Sequence, residues 1–154
     1  MEISNLIDQL ELSFYGKPEW KGHAWHGPSV INTIGAVKEE QAQNRFGDSH
    51  SIIELVEHMT AWRTFVTQRL LGNKEYKVSK EQNFPLDGSW KKSTLLLVES
   101  QQQLVAALRL FPEERLSETV DGMGYSYRVM INGIIHHDLY HTGQIVLLKK
   151  GRAD

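Results

Sequence analysis

Three histidines lie within six positions near the C-terminal end of a 154-residue chain that has seven histidines in all. The stretch GIIHHDLYHTGQIVLLKK, residues 133–150, contains His136, His137 and His141. Consecutive residues of an α-helix turn by about 100°, so positions four apart are separated by about 40°. His137 and His141 therefore share one helix face. His136 lies about 140° from His141 and cannot hold the same ligand, so we expect it at the surface or in a groove.

Two imidazoles on one helix form only part of a useful metal site, which needs a third ligand from elsewhere. His58 is the candidate, because it lies at the edge of the apolar stripe of another predicted helix. Burying three unpaired histidines would be costly, whereas one divalent cation would satisfy three ring nitrogens at once. We therefore predict a metal site formed by His58, His137 and His141. For each histidine taken alone, the alternative is a hydrogen-bonded core residue.

Other polar residues are candidates for catalytic or substrate-binding groups. Asp138 lies inside the sequence HDLYH, at the position where zincin proteases carry glutamate, and this departure argues against a protease. Asp138 could orient a histidine or act as a base, although an ordinary surface salt bridge fits it equally well. His26, Tyr140 and Gln144 are the other polar groups to be expected near the site.

Composition excludes several classes of protein. Lys and Arg number 17 against 19 Asp and Glu, and they are interspersed, so no basic tract predicts a nucleic-acid partner. The absence of cysteine excludes disulfides and a cysteine nucleophile. The N-terminal segment lacks the apolar region of a signal peptide, and no stretch is apolar enough to span a bilayer. We expect a cytoplasmic protein formed by one domain, residues 1–154, with a small-molecule substrate.

Hydrophobic periodicity predicts helices along almost the whole chain and no convincing strand. The sequence SIIE, starting at Ser51, is typical of a helix N-terminus, and Ser29 is expected to cap a short helix. We expect Trp20 and Trp25 to be packed in an ordered loop, because exposure of two tryptophans to water is unfavourable. The pattern indicates an all-α antiparallel four-helix bundle with a crossover link of about 17 residues between its second and third helices. The predicted long helices are 2–14, 50–71, 89–110 and 125–150.

Over nearly its whole length the chain resembles the DinB-like superfamily of damage-inducible four-helix proteins, which is unrelated to the DNA polymerase of that name. The resemblance rests on WHGPSV at 25–30, HSIIELVEHMTAW at 50–62 and the histidine-rich segment at 133–150. In this family a histidine of the second helix and two of the last helix bind Zn²⁺ or Ni²⁺. The resemblance therefore implies the same set of His58, His137 and His141, and the sequence His-x-Gly-Gln at 141–144 agrees with it.

The resemblance also implies a class of reaction. Better-characterised relatives join low-molecular-weight thiols such as bacillithiol or mycothiol to electrophiles, and one related branch isomerises maleylpyruvate. Because this chain has no cysteine, a thiolate would have to come from a thiol cofactor. A metal-dependent thiol S-transferase is thus the leading hypothesis. The alternatives are a metal-dependent hydrolase and a bundle that binds a metal or small ligand without catalysis. Proteins of this family frequently form homodimers, which we also expect here.

Overall fold

Four long α-helices dominate the computed structural model, which describes residues 2–85 and 88–151. The helical elements are α1 Glu2–Tyr15, α2 Val30–Gly35, α3 Ile52–Leu70, α4 Lys80–Asn83, α5 Trp90–Leu110 and α6 Tyr127–Lys150. The prediction of an all-α chain with four long helices is confirmed. The predicted bounds run past those observed by one or two residues at the starts of α3, α5 and α6, and by one residue at the end of α3. Two residues of the predicted crossover link, 86 and 87, lie outside the described part.

Helix α3 carries one of the metal-ligand candidates, and its start is fixed by the predicted capping box. The Ser51 side chain accepts a hydrogen bond from the backbone N–H of Glu54. In return, the Glu54 carboxylate accepts one from the Ser51 N–H at 2.6 Å. Ser29 caps α2 in the predicted manner by accepting from the N–H of Asn32. Local sequence therefore determines where these helices begin.

Replacing Ser51 with alanine should lower the free energy of unfolding by about 1 kcal/mol, because a buried cap then leaves an N–H donor of α3 unpaired. Urea unfolding monitored by circular dichroism measures this loss. Ser89 is the matched control, since it precedes α5 without making a side-chain cap hydrogen bond. Ser89→Ala should therefore leave stability nearly unchanged, and equal losses in the two variants would refute the capping argument.

The segment between α1 and α2 contains a small hairpin that the sequence did not predict. Strands β1 His23–Ala24 and β2 Gly27–Pro28 pair antiparallel. Trp25 lies in the turn between them and is 91% exposed, and Trp20 is 42% exposed. The prediction that both tryptophans are packed is wrong. The physical reason is that the two-residue strands leave the turn projecting from the surface. The ring of Trp20 is partly covered by the Lys17 ammonium, which lies 4.7 Å from its centroid.

The long helices pack so that α1 and α3 each contact both α5 and α6. Hydrogen bonds join Glu57 of α3 to Ser93 of α5, and Arg63 of α3 to Gln101 of α5, so residue numbers increase in the same direction along both helices. The apolar core has two parts. One lies around Leu10, Leu104 and Ile131, and the other lies around Phe14, Met59 and Ile145, all six of which are fully buried. No helix in the described ranges is long and apolar enough to cross a membrane.

Candidate metal centre

His58 of α3 and His137 and His141 of α6 come together where these two helices face each other. One ring nitrogen from each lies within 4.8 Å of those of the other two. The Nε2 atoms of His58 and His137 are 3.0 Å apart. His58 and His141 are buried and His137 is partly buried, whereas His136 is exposed. The helical phase assigned from the sequence therefore agrees with the structure, in which His58, His137 and His141 lie together and His136 is exposed.

Two of the three imidazoles are held in one tautomer by hydrogen bonds at Nδ1. His58 Nδ1–H donates to the backbone carbonyl of Asn83 at 2.7 Å, and His141 Nδ1–H donates to Oε1 of Gln144 at 2.6 Å. A neutral imidazole with its proton on Nδ1 has a bare lone pair on Nε2. Histidines that bind metals commonly donate the other ring N–H to an oxygen in this way. Three imidazoles, two of them anchored at Nδ1, are a donor set that fits a Zn²⁺- or Ni²⁺-type cation.

Asp138 forms a buried ion pair rather than a surface salt bridge. Its Oδ2 lies 2.5 Å from Nη2 of Arg63, and the two side chains are 1% and 0% exposed. The other carboxylate oxygen, Oδ1, lies 3.6 Å from Nδ1 of His137. Arg63 also donates to Gln101 of α5, and its guanidinium stacks on the ring of Phe14 of α1, 4.5 Å from the centroid. All four long helices thus meet at a polar group beside the histidines.

Phe84 covers His58 from the side of the segment that follows α4. Its ring stacks on His58 with centroids 4.2 Å apart, and His50 stacks on its other face at 3.4 Å. The preceding residue, Asn83, accepts from His58 through its carbonyl and from Trp62 Nε1 through its side chain at 3.0 Å. The link between α3 and α5 therefore both orients His58 and shields it from water.

Two cavities reach the histidines from different sides. The larger, about 420 Å³, is bounded by His141, Gln144, Tyr140, His50 and Phe84 among others. The smaller, about 250 Å³, reaches His137 and is bordered by aromatic and aliphatic side chains. A site with three protein ligands and adjoining cavities differs from a closed structural site, in which four protein ligands fill the coordination shell. The arrangement leaves room for small molecules beside the histidines.

The remaining predicted residues take different positions. Tyr140 is exposed at the edge of the larger cavity, with its ring edge-on to His141 at 5.1 Å. Gln144 orients His141, as described above. His26 is exposed in the hairpin turn and is not a member of the three-histidine group, so a catalytic role for it stays a prediction.

Sequence reasoning missed Asn83, Phe84 and the Arg63 pair. Asn83 acts on His58 through a backbone carbonyl, which any residue type would supply, so no side-chain pattern could have identified it. Arg63, by contrast, follows Met59 by four positions and Val56 by seven, which places a charge inside the apolar stripe of α3. A charged residue in such a stripe predicts a buried counterion.

Burial lowers the pKa of His58 to about 4 from its usual 6.5, and the neighbouring His137 and His141 act in the same direction, against the hydrogen bond to Asn83. The pKa of His141 is lowered mainly by burial as well. Between about pH 6.5 and pH 4 the unfolded chain therefore binds a proton that folded His58 does not. The contribution of His58 to the free energy of unfolding should therefore fall as pH drops through this window, and it should change little below about pH 4.

Urea unfolding of chelator-treated protein across this pH range tests the expectation. His58→Phe, which removes the titrating ring but keeps an aromatic side chain, should show a weaker pH dependence than the wild type. His136→Phe is the control, because it makes the same substitution on α6 at an exposed histidine outside the three-histidine group. The same slope in the wild type and the His58 variant would contradict the assignment.

Comparison with models of known protein families identifies the family of this chain. The model of the DinB superfamily matches residues 29–145, which include all three histidines. No curated protein and no solved structure gives a significant match to the chain.

Proposed function

This chain belongs to the DinB superfamily, and from this membership and the histidine cluster we propose that it binds one divalent metal ion through His58, His137 and His141. The observation that carries the proposal is the convergence of three ring nitrogens within 4.8 Å of one another, with two of the rings anchored at Nδ1. Imidazole ligands suit Zn²⁺ and Ni²⁺, which we propose as the ions.

We propose that the site is catalytic and that the reaction is transfer of a low-molecular-weight thiol to an electrophile. A bound Zn²⁺ or Ni²⁺ would supply positive charge that favours the deprotonated form of a thiol or water near neutral pH. In the transfer, the thiol gives up its proton to water, its sulfur forms a bond to the electrophilic carbon, and the leaving group departs with the electron pair of the bond that breaks. The two cavities support this reading, since two reactants need separate space beside one site.

The residues of the chain would prepare the site in distinct ways. Gln144 and the Asn83 carbonyl keep the Nε2 atoms of His141 and His58 free of protons. The ion pair of Arg63 and Asp138 fixes the turn of α6 that carries His137. Tyr140 is placed at the edge of the larger cavity, where a substrate would contact it. These roles depend on orientation and water exclusion, which the described contacts supply.

The activity is tested with metal-loaded protein, low-molecular-weight thiols and 1-chloro-2,4-dinitrobenzene, together with simple esters and amides as hydrolysis substrates. We expect conjugation of the thiol above the uncatalysed rate and its loss in His58→Ala, with His136→Ala unchanged. Faster ester or amide hydrolysis without thiol transfer would favour a hydrolase. Turnover of neither class would leave a bundle that binds a metal or ligand without catalysis.

We also propose the crossover bundle topology for the four long helices. The supporting contacts are Glu57 with Ser93 and Arg63 with Gln101, which run in the same direction along α3 and α5. Two neighbouring helices that run in the same direction require a link that returns along the bundle, and the link from Leu71 to Ser89 is long enough to do so.

A homodimer and a cytoplasmic location complete the proposal. The exposed apolar side chains of Trp25, Leu71 and Leu95 are compatible with a partner surface. We expect a mass of twice 17.7 kDa in light scattering at micromolar concentration. A monomeric mass would remove the dimer from the account without affecting the metal site.

A further inference from the structure

The larger cavity beside His141 has a lining of unusual chemical uniformity. Apolar side chains, including Phe46, Leu55 and Leu147, form most of its wall. Its polar members, among them Gln144 and Tyr140, are uncharged amides and hydroxyls apart from the two imidazoles. A volume of about 420 Å³ is within the range of sites that bind small molecules.

No Lys, Arg, Asp or Glu lines this cavity within the part of the chain that the structure describes. Arg45 and Glu54, which adjoin the lining residues Phe46 and Leu55 in the chain, are paired with each other. Arg45 lies 3.0 Å from Glu54, and the same carboxylate caps α3 by accepting from the Ser51 N–H. An anionic group placed against this wall, away from the three histidines, would therefore lack a lysine or arginine partner, and transfer of an unpaired carboxylate from water into apolar surroundings is strongly unfavourable.

We propose that this cavity binds an uncharged, largely apolar small molecule, whose polar end is directed towards His141 and Gln144. If the protein is a thiol transferase, as proposed above, the occupant of this cavity is the electrophile rather than the thiol. This assignment of roles rests on the proposed function. Low-molecular-weight thiols that carry carboxylates would lose their hydration here without compensation. An aromatic or aliphatic electrophile would instead gain contacts with the apolar wall.

A preference for an uncharged ligand over a charged one of similar size distinguishes this proposal from nonspecific binding in an apolar cavity. The probes are 4-fluorobenzyl alcohol and 4-fluorobenzoate, which have similar size and differ in charge at neutral pH. Binding is followed by ¹⁹F NMR at pH 7.5 on the full-length chain treated with chelator, because a carboxylate can itself ligate a metal ion. We expect the alcohol to bind with one site per chain and at least tenfold more tightly than the benzoate.

A charge placed in the wall should reverse the preference. Leu147 lines the cavity and is largely exposed, so Leu147→Lys should fold normally and provide a cation at the rim. The benzoate should then gain at least tenfold in affinity. Leu110→Lys is the matched control, because Leu110 is also exposed but does not line this cavity, and it should keep the wild-type preference. Circular dichroism checks the fold of both variants.

Tighter binding of the alcohol to the wild type, with a reversed preference in Leu147→Lys alone, would support the proposal. Equal or tighter binding of the benzoate to the wild type, no binding of either probe, or the same response in the two lysine variants would overturn the proposal. Because the chelated protein is used, failure here leaves metal binding by the three histidines untouched. Conversely, a chain that binds no metal but discriminates between the probes would retain the cavity assignment and lose the proposed function.

Discussion

Alanine at His58, His137 or His141 is expected to abolish the stabilisation that Zn²⁺ gives to the wild-type protein. At free Zn²⁺ about 100 times the dissociation constant, a single site stabilises the folded state by about 2.7 kcal/mol. In a chain of this length, that corresponds to a rise in melting temperature of roughly 5–10 °C. Thermal unfolding at pH 7.5 with and without Zn²⁺ measures the effect. At pH 5 the rise should shrink, because protons compete for imidazole nitrogens.

The exposed neighbour His136 provides the control for this experiment. It belongs to the same helix and has the same chemistry, but its side chain points away from the cluster, so His136→Ala should keep the full Zn²⁺ response. Equal sensitivity at His136 and His137 would mean that binding is nonspecific. Retention of the response in His58→Ala would exclude a site shared between α3 and α6.

Breaking the buried ion pair should produce the largest loss of stability in the metal-free chain. Arg63→Met leaves the carboxylate of Asp138 buried without its cation, and removal of one partner of such a pair costs about 3–5 kcal/mol. Burial lowers the pKa of Arg63, and the Asp138 carboxylate opposes that effect. Urea unfolding in the presence of chelator measures the loss.

Two further variants distinguish the loss of the buried ion pair from a general effect of substituting an arginine. The double variant Arg63→Met with Asp138→Leu should recover much of the lost stability, because it removes both buried charges together. Arg115→Met breaks a similar contact with Glu118 at the exposed surface, where solvent screens the charges, and should change stability little. An Arg63 variant as stable as the Arg115 variant would contradict the buried-pair account.

The sequence was sufficient to place the three histidines because helical phase is a local property. The spacing of His137 and His141 and the exposure of His136 follow from 3.6 residues per turn, and the apolar stripe of α3 places His58 towards the interior. The capping signals at Ser51 and Ser29 are likewise local, which explains why the starts of α2 and α3 were predicted within two residues.

The features that the sequence did not reveal depend on contacts between distant segments. Asn83 approaches His58 across 25 positions, and it acts through its backbone. For Asp138 the sequence left three roles open, to orient a histidine, to act as a base or to form a surface salt bridge, because nothing within one helical turn of it identifies Arg63 as its buried partner. The exposure of Trp25 depends on a hairpin of four paired residues, too short to produce a periodic pattern.

The central claim is that three histidines from two helices bind one divalent ion, and metal stoichiometry tests it most directly. The untagged protein is stripped with chelator, equilibrated with Zn²⁺ or Ni²⁺, dialysed and assayed by elemental analysis beside the His58→Ala, His137→Ala and His141→Ala variants. We predict one ion per wild-type chain and substantially less than one in each variant. A wild-type chain that retains no metal, or variants that retain as much as the wild type, would contradict the account.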